Sequence, residues 1–298
     1  MKSMFLILLL VVLVVTENIN YKPGDINLIL TVPHNGYDRS EDIPIRQPGC
    51  KNSAKVCRFP GRSSCDEGKI CRVVVDGDGY TQTIGKYVHT AFKKLTGRTP
   101  HLIISNLHRS RMDPNREIGE AAQGNQAAMA AYKEFHGAIR EAKKTFGREP
   151  GLLIDIHGQA HKKNRTEIGY LIKPKALNLG NYTNSNLSIK ALVMRKKDTV
   201  EEFIWGSRSL GALFEDAGYK AVPSPNKTSP GKDKYFNGGY ITSTHGSWYG
   251  GLVDAIQLEI PGEIRNDGGK SLRKHFSSNL ARILATFFAE NYEELEIK

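Results

Sequence analysis

The run Leu152-Leu153-Ile154-Asp155-Ile156-His157-Gly158 is the feature that most constrains what this chain can become. A short apolar stretch of this kind reads as a buried strand, and it breaks off in an acid, a histidine and a glycine. In an open α/β sheet the carboxyl ends of strands face the ligand crevice. Asp155 and His157 stand two apart, so on a strand both point to the same side of the sheet. A histidine there is suited to holding a metal, and the acid beside it can orient it or join the ligation.

Three other apolar runs end in the same manner. Residues 26–32 lead into Pro33-His34-Asn35-Gly36, where proline stops the ladder and leaves His34 at the strand's carboxyl end. Residues 101–107 deliver a stretch containing Arg109, Arg111, Asn115 and Arg116, a dense set of donors for carboxylate or phosphate. Residues 255–261 carry Glu259, and a carboxylate in an apolar run is costly to bury unless it is paired or functional. A shorter strand, expected over 71–75, leads to Asp76-Gly77-Asp78-Gly79. Acids placed before a helix can be simple caps, and helix is expected from 80 to about 95.

The remaining pattern alternates helix and strand. Alanine-rich sequence from 117 to 145 predicts helix with an interruption at Gly124, and 169–172 predicts a further strand. Residues 173–188 read as exposed loop, 199–217 as helix, 235–246 as a glycine-bracketed segment where backbone could approach a ligand, and 272–291 as the last helix. With no internal repeat and no long linker, one mature domain over 17–298 is the simplest organisation.

The opening residues, 1–16, carry one lysine followed by an apolar stretch of the length of a secretory signal rather than a membrane span. Sequons at Asn164, Asn181, Asn186 and Asn226 support secretion, with no membrane attachment expected after cleavage. In a secreted chain Cys50, Cys57, Cys65 and Cys71 read as two disulfides stapling an insertion at 50–71, in any of three pairings. A zinc site of four thiolates would favour tighter spacings. The formal charge of +11 permits a polyanion partner. Because lysine and arginine are scattered and not interleaved with aromatics, no nucleic-acid partner is expected.

Two histidines, one or two acids and a lone glutamate suit a zinc site with an open position for water. Such a metal lowers the pKa of its water and polarises a carbonyl, a carboxylate acts as base, and the arginines hold an anionic substrate group.

In this order of motifs the chain resembles the N-formylglutamate amidohydrolase family, itself similar in fold to zinc carboxypeptidases. The resemblance rests on Val32-Pro33-His34-Asn35-Gly36, Asp76-Gly77-Asp78-Gly79-Tyr80, the run Arg109 to Arg116, Asp155-Ile156-His157-Gly158, Gly238-Gly239-Tyr240-Ile241-Thr242 and Gln257-Leu258-Glu259-Ile260. It implies a three-layer α/β/α sandwich around a mixed sheet, phosphorylase/hydrolase-like, and a zinc-dependent amide hydrolase with one zinc ion per chain. His34 and His157 would bind the metal and Glu259 would be the base. Asp78 is favoured as the acidic ligand, with Asp76 and Asp155 as rivals. Arg109, Arg111, Asn115 and Arg116 would clamp a substrate carboxylate. The chain departs from the pattern at Gly158, where serine is usual, at Gln82 in place of an acid, and at Pro261-Gly262 in place of Asn-Arg. The implied substrate is therefore broader than N-formylglutamate: a small anionic N-acyl amino acid or peptide end. The alternative is a secreted glycoprotein that keeps the fold and binds an anionic ligand or matrix without catalysis.

Overall fold

The structure is a computed structural model describing residues 18–59, 69–183 and 187–298. The expected signal at 1–16, Cys65 and the sequon at Asn186 lie outside the described residues.

The strands are β1 (Ile19–Lys22), β2 (Leu28–Val32), β3 (Gly49–Lys51), β4 (Cys57–Arg58), β5 (Ile70–Cys71), β6 (His101–Ser105), β7 (Gly151–Gln159), β8 (Thr166–Gly169), β9 (Ala221–Val222) and β10 (Val253–Pro261). The helices are α1 (Thr81–Thr96), α2 (Ile118–Ala122), α3 (Gln126–Thr145), α4 (Pro174–Leu179), α5 (Lys190–Lys196), α6 (Val200–Ile204), α7 (Leu210–Asp216), α8 (Tyr240–His245) and α9 (Gly269–Asn291).

Seven strands form one mixed sheet in the order β1-β6-β2-β7-β10-β8-β9. β6, β2, β7 and β10 run parallel, and β1 and β8 pair antiparallel at either side of them. The parallel strands read as unbroken apolar runs because both of their faces are covered. Leu28, Leu30, Val32, Leu152, Ile154 and Ile156 pack on one face with Val88 and Phe92 of α1 and Leu284 and Phe288 of α9. Ile29, Ile103 and Leu153 pack on the other with Phe135 and Ile139 of α3 and Ile241 of α8. Helices on both faces make the expected α/β/α sandwich. The chain leaves β2 through α1 on one face and enters β7 from α3 on the other. Winding thus reverses between β2 and β7, which opens a crevice at their carboxyl ends.

Several elements differ from expectation for local reasons. The strand expected over 71–75 stops at Cys71, the end of a small sheet ordered β4-β3-β5. Beyond it the carbonyl of Val74 accepts from the Arg46 guanidinium instead of a neighbouring strand. This insertion is cross-linked by Cys57–Cys71. The helix expected over 199–217 splits into α6 and α7, because Ser209 caps a new start by accepting from the Ala212 N–H at 3.0 Å. The segment 173–188 is no simple loop: it contains α4, with Pro174 in its first turn, and returns to the core at Leu187 and Ser188. β8 begins and ends three residues before the predicted strand, since the chain turns at Leu171, whose φ is 68°. The helix interruption at Gly124 is as expected, with Gln123 and Gly124 both left-handed and Asn125 capping α3. Asn164, Asn181 and Asn226 are exposed. Among the described residues no helix is long and apolar enough to cross a membrane.

Candidate metal centre

Side chains two apart on a strand share a face, and partners in register across a sheet share it too. Thr31, Asp155 and Gln257 are register partners across β2, β7 and β10 and form one such rung. The next rung towards the carboxyl ends holds His157, Glu259 and Glu167 across β7, β10 and β8. The apolar runs therefore end in two stacked rows of polar groups, all on the face covered by α3 and α8.

His34 follows β2 and turns towards the second rung. Its Nε2 lies 2.7 Å from Asp113 Oδ1, and His157 Nε2 lies 2.7 Å from Asp155 Oδ2. A carboxylate behind each Nε2 fixes the proton there and leaves the Nδ1 lone pair facing forward. The two Nδ1 atoms are 3.1 Å apart, and Asp78 Oδ2 stands 3.1 Å from one and 3.2 Å from the other. Three donor atoms at these separations, all in buried side chains, could hold a metal ion. A tetrahedral zinc with bonds of about 2.0–2.1 Å has ligand atoms about 3.3 Å apart, close to the triangle found. The donor chemistry fits too: two imidazole lone pairs and a carboxylate oxygen converge, the three-ligand set that leaves a fourth position for water.

The candidate acids separate cleanly. Asp78 reaches the histidines because Gly77 lets the backbone pass against the His34 carbonyl; a Cβ on Gly77 would come 2.7 Å from that oxygen. The Asp78 N–H donates to the same carbonyl at 3.0 Å. Asp155 is committed to His157 and to Thr31 Oγ1, which donates to it at 2.7 Å. Asp76 is exposed and contributes its carbonyl, at 3.4 Å from Arg109 Nη1. Asp78 is thus the acid brought to both histidines, and Asp155 orients one of them.

Burial alone would raise the Asp78 carboxyl, but His34 and His157 hold it well below the usual range. Burial alone would lower the His157 imidazole, but Asp155 behind it and Asp78 beside it raise it to about 10. A divalent cation takes such a site by displacing the proton. Glu259 is buried beside the triangle and accepts from Gln257 Nε2 at 2.8 Å. Burial, with Asp78 and Glu167 near it, raises its pKa against the pull of His157 and Arg109.

A cavity of about 720 Å³ opens over these groups. Of the expected clamp, Arg109, Asn115 and Arg116 line it and Arg111 does not. Arg111 is a correction to the expectation, because its guanidinium turns away to the Ile43 carbonyl. Arg109 is also held, donating to Asp113 Oδ2 at 3.0 Å and to Asp78 Oδ1 at 3.4 Å. Asn115 donates to Gln257 Oε1 at 3.4 Å and accepts from the Ile241 N–H at 2.8 Å. Arg116 is partly exposed at the rim, paired with Glu120 at 3.2 Å.

Sequence reasoning gave no role to several residues at and behind this wall. Asp113 accepts from His34, the Asn115 N–H, Arg109 and Arg46, so it couples a candidate ligand to two arginines. Its place between Arg109 and Asn115 was the only available signal. Arg265 donates to the carbonyls of Ile260, Gly79 and Gln159 at 2.9, 2.7 and 3.0 Å, which closes the rim. Its guanidinium fills the space beside Gly158, where a Cβ would come 2.2 Å from Nε. Phe236 and Lys234 come from an irregular segment with no periodic signal.

A sandwich with buried histidine and aspartate donors gathered at its strand ends defines the class of this chain. No family model matches it, and no curated protein matches it in sequence. Among solved structures it is similar to N-formylglutamate amidohydrolase from Ralstonia eutropha JMP134, with a TM-score of 0.50 and 11% identity over 92% of this chain and 100% of that one. It also aligns with a bacteriophage poly-gamma-glutamate hydrolase, at a TM-score of 0.33 and 14% identity over 92% and 90% of the two chains. The first likeness shows the fold that the sequence motifs implied.

Proposed function

We propose that this chain is a secreted zinc-dependent hydrolase that cleaves an amide bond in a small carboxylate-bearing N-acyl amino acid or peptide end. The observation that carries this reading is the triangle of His34 Nδ1, Asp78 Oδ2 and His157 Nδ1 with the Glu259 carboxylate buried beside it. Secretion is supported by the signal-like start, the exposed sequons and the Cys57–Cys71 bond.

Zinc bound by His34, Asp78 and His157 would supply Lewis acidity and lower the pKa of water in its open position. Asp113 and Asp155 keep the two imidazoles in the tautomer that such binding needs. Glu259, raised in pKa and close to the donors, takes the proton from the attacking water. Arg109 and Arg116 present positive charge to the substrate carboxylate, and Asn115, packed beneath Gly239, fixes the floor between them. The Gly238-Gly239 backbone lies close enough to line the same cavity.

The test is elemental analysis of purified protein beside a turnover screen over N-formyl and N-acyl amino acids. About one zinc per chain, lost in His157→Ala, is expected. Glu259→Gln should keep its zinc and lose at least about 100-fold in kcat. An unchanged rate in Glu259→Gln at normal metal content refutes the mechanism. Absence of metal with tight binding of an anionic ligand would instead mark a binding protein.

A further inference from the structure

The scheme above leaves open which group protonates the departing amide nitrogen: Glu259, returning the proton of the water, or a second acid. It also leaves unused a buried carboxylate next to Glu259 in the sheet. Glu167 is fully buried and stands opposite Glu259 in the antiparallel register of β8 and β10. His157 stands opposite Glu259 on its other side. Neighbouring strands are about 4.8 Å apart, so Glu259 lies one strand from the donor triangle and one strand from Glu167.

Glu167 spends its two oxygens on one neighbourhood. Oε2 accepts from the Phe236 N–H at 2.8 Å, and Oε1 lies 2.8 Å from His161 Nδ1. The Phe236 ring stacks on the imidazole, with centroids 4.6 Å apart and planes 27° from parallel. With Nδ1 bound and a ring face covered, His161 offers its Nε2 edge to the cavity it lines. In such a pair the carboxylate fixes the orientation of the imidazole. An amide lying across Glu259 with its carbonyl oxygen towards His34, Asp78 and His157 would direct its nitrogen towards β8, whose Glu167 holds His161.

We propose that His161 is a second catalytic residue of this site, the acid that protonates the departing nitrogen, with Glu167 as the residue that positions it. The inference rests on the amide-hydrolase reading. Water gives its proton to Glu259 as its oxygen bonds to the carbonyl carbon. The C–N bond then breaks, the nitrogen keeps the electron pair, and it takes the proton from His161 Nε2. The proton held by Glu259 returns to the imidazole through solvent, so the net change is hydrolysis.

The experiment compares two substrates sharing one acyl group, both assayed on the zinc-loaded protein. One is the N-acyl amino acid that the wild type turns over best. The other is the 3-carboxyphenyl ester, which keeps a carboxylate on a leaving group that departs unprotonated. His161→Gln should lower kcat on the amide by about 100- to 1,000-fold and change the ester by less than about threefold. Glu167→Gln, which keeps a hydrogen bond to Nδ1, should show the same selectivity at smaller size. Zinc content and the unfolding transition of both variants should match the wild type. Equal losses on the two substrates, or none on the amide, overturn the role of His161 while Glu259→Gln still reports on the parent mechanism. A wild type that hydrolyses neither substrate overturns both readings.

Discussion

Replacing Gly158 by alanine tests whether Arg265 is the clasp of the site rim. A Cβ at this position would stand 2.2 Å from Arg265 Nε, 2.3 Å from Cζ and 2.7 Å from Cδ. Ordinary contact begins near 3.4 Å, so the guanidinium must withdraw by about 1 Å or more. It cannot do so and keep its three bonds to the carbonyls of Ile260, Gly79 and Gln159. Hydrogen bonds to a charged donor contribute about 1.5–3 kcal/mol each. Loss of one and weakening of the others gives an expected destabilisation of about 3 kcal/mol. Urea unfolding followed by the fluorescence of Trp205 and Trp248 would measure it. A double-mutant cycle supplies the decisive comparison. In an Arg265→Gln background, where the shorter amide can move aside, Gly158→Ala should cost less than about 1 kcal/mol. Additive effects, or a neutral Gly158→Ala in the wild-type background, would refute the argument.

Two further outcomes follow from buried charges. Asp113→Ala leaves the buried Arg46 and the Arg109 guanidinium without their shared carboxylate and should cost about 3–5 kcal/mol in urea unfolding, together with weakened metal retention. Asp155→Asn, whose amide can still meet both His157 and Thr31, should cost far less stability than Asp113→Ala; equal costs would contradict the division of roles drawn here. The stacked, buried pair His136 and His245 should make stability sensitive to mild acid. Burial holds the His136 imidazole down to about 4, whereas in the unfolded chain it titrates near about 6.5. The unfolded chain therefore binds more protons between those values, and stability present above pH 6.5 is lost as pH falls. The loss attributable to His136 from pH 7 to pH 5 is about 2 kcal/mol; His136→Gln should lack it, so the stability difference between wild type and variant should change by that amount over this range.

The four central strands were legible because burial on both faces leaves no alternation to misread. Residues such as Leu152 to Ile156 can only be core, and the polar groups that end each run stand out against them. His34, His157 and Glu259 stood out as candidates for that reason, whereas Asp78 stood out after a run that the fold leaves irregular. The elements misread were those whose geometry is set by a distant partner. Cys71 to Val75 reads as a strand, yet beyond Cys71 the carbonyls of Val74 and Asp76 are taken by Arg46 and Arg109 from elsewhere in the chain. Arg111 looked no different from Arg109, since only the fold decides which of two nearby guanidiniums faces the cavity. Asp113 and Asp155 were visible as acids, but their pairing with the far nitrogens of two histidines depends on side-chain orientation that spacing does not encode. Arg265 carries no local signal beyond its nearness to the last strand, because its role beside Gly158 depends on a contact across 107 positions.

The two polar rungs across β2, β7, β10 and β8 also bear on how the chain can change in length. A residue inserted within β10 between Val253 and Glu259 would shift every later side chain by one place and turn it to the opposite face. Glu259 would then meet the packing of α1 and α9, while Leu258 took its position beside His157. An insertion at the exposed turn of Gly250 and Gly251, just before the strand, would leave the frame untouched. Duplicated or deleted codons should therefore be tolerated on one side of Val253 and abolish the site on the other, a boundary that a single-residue insertion scan would resolve.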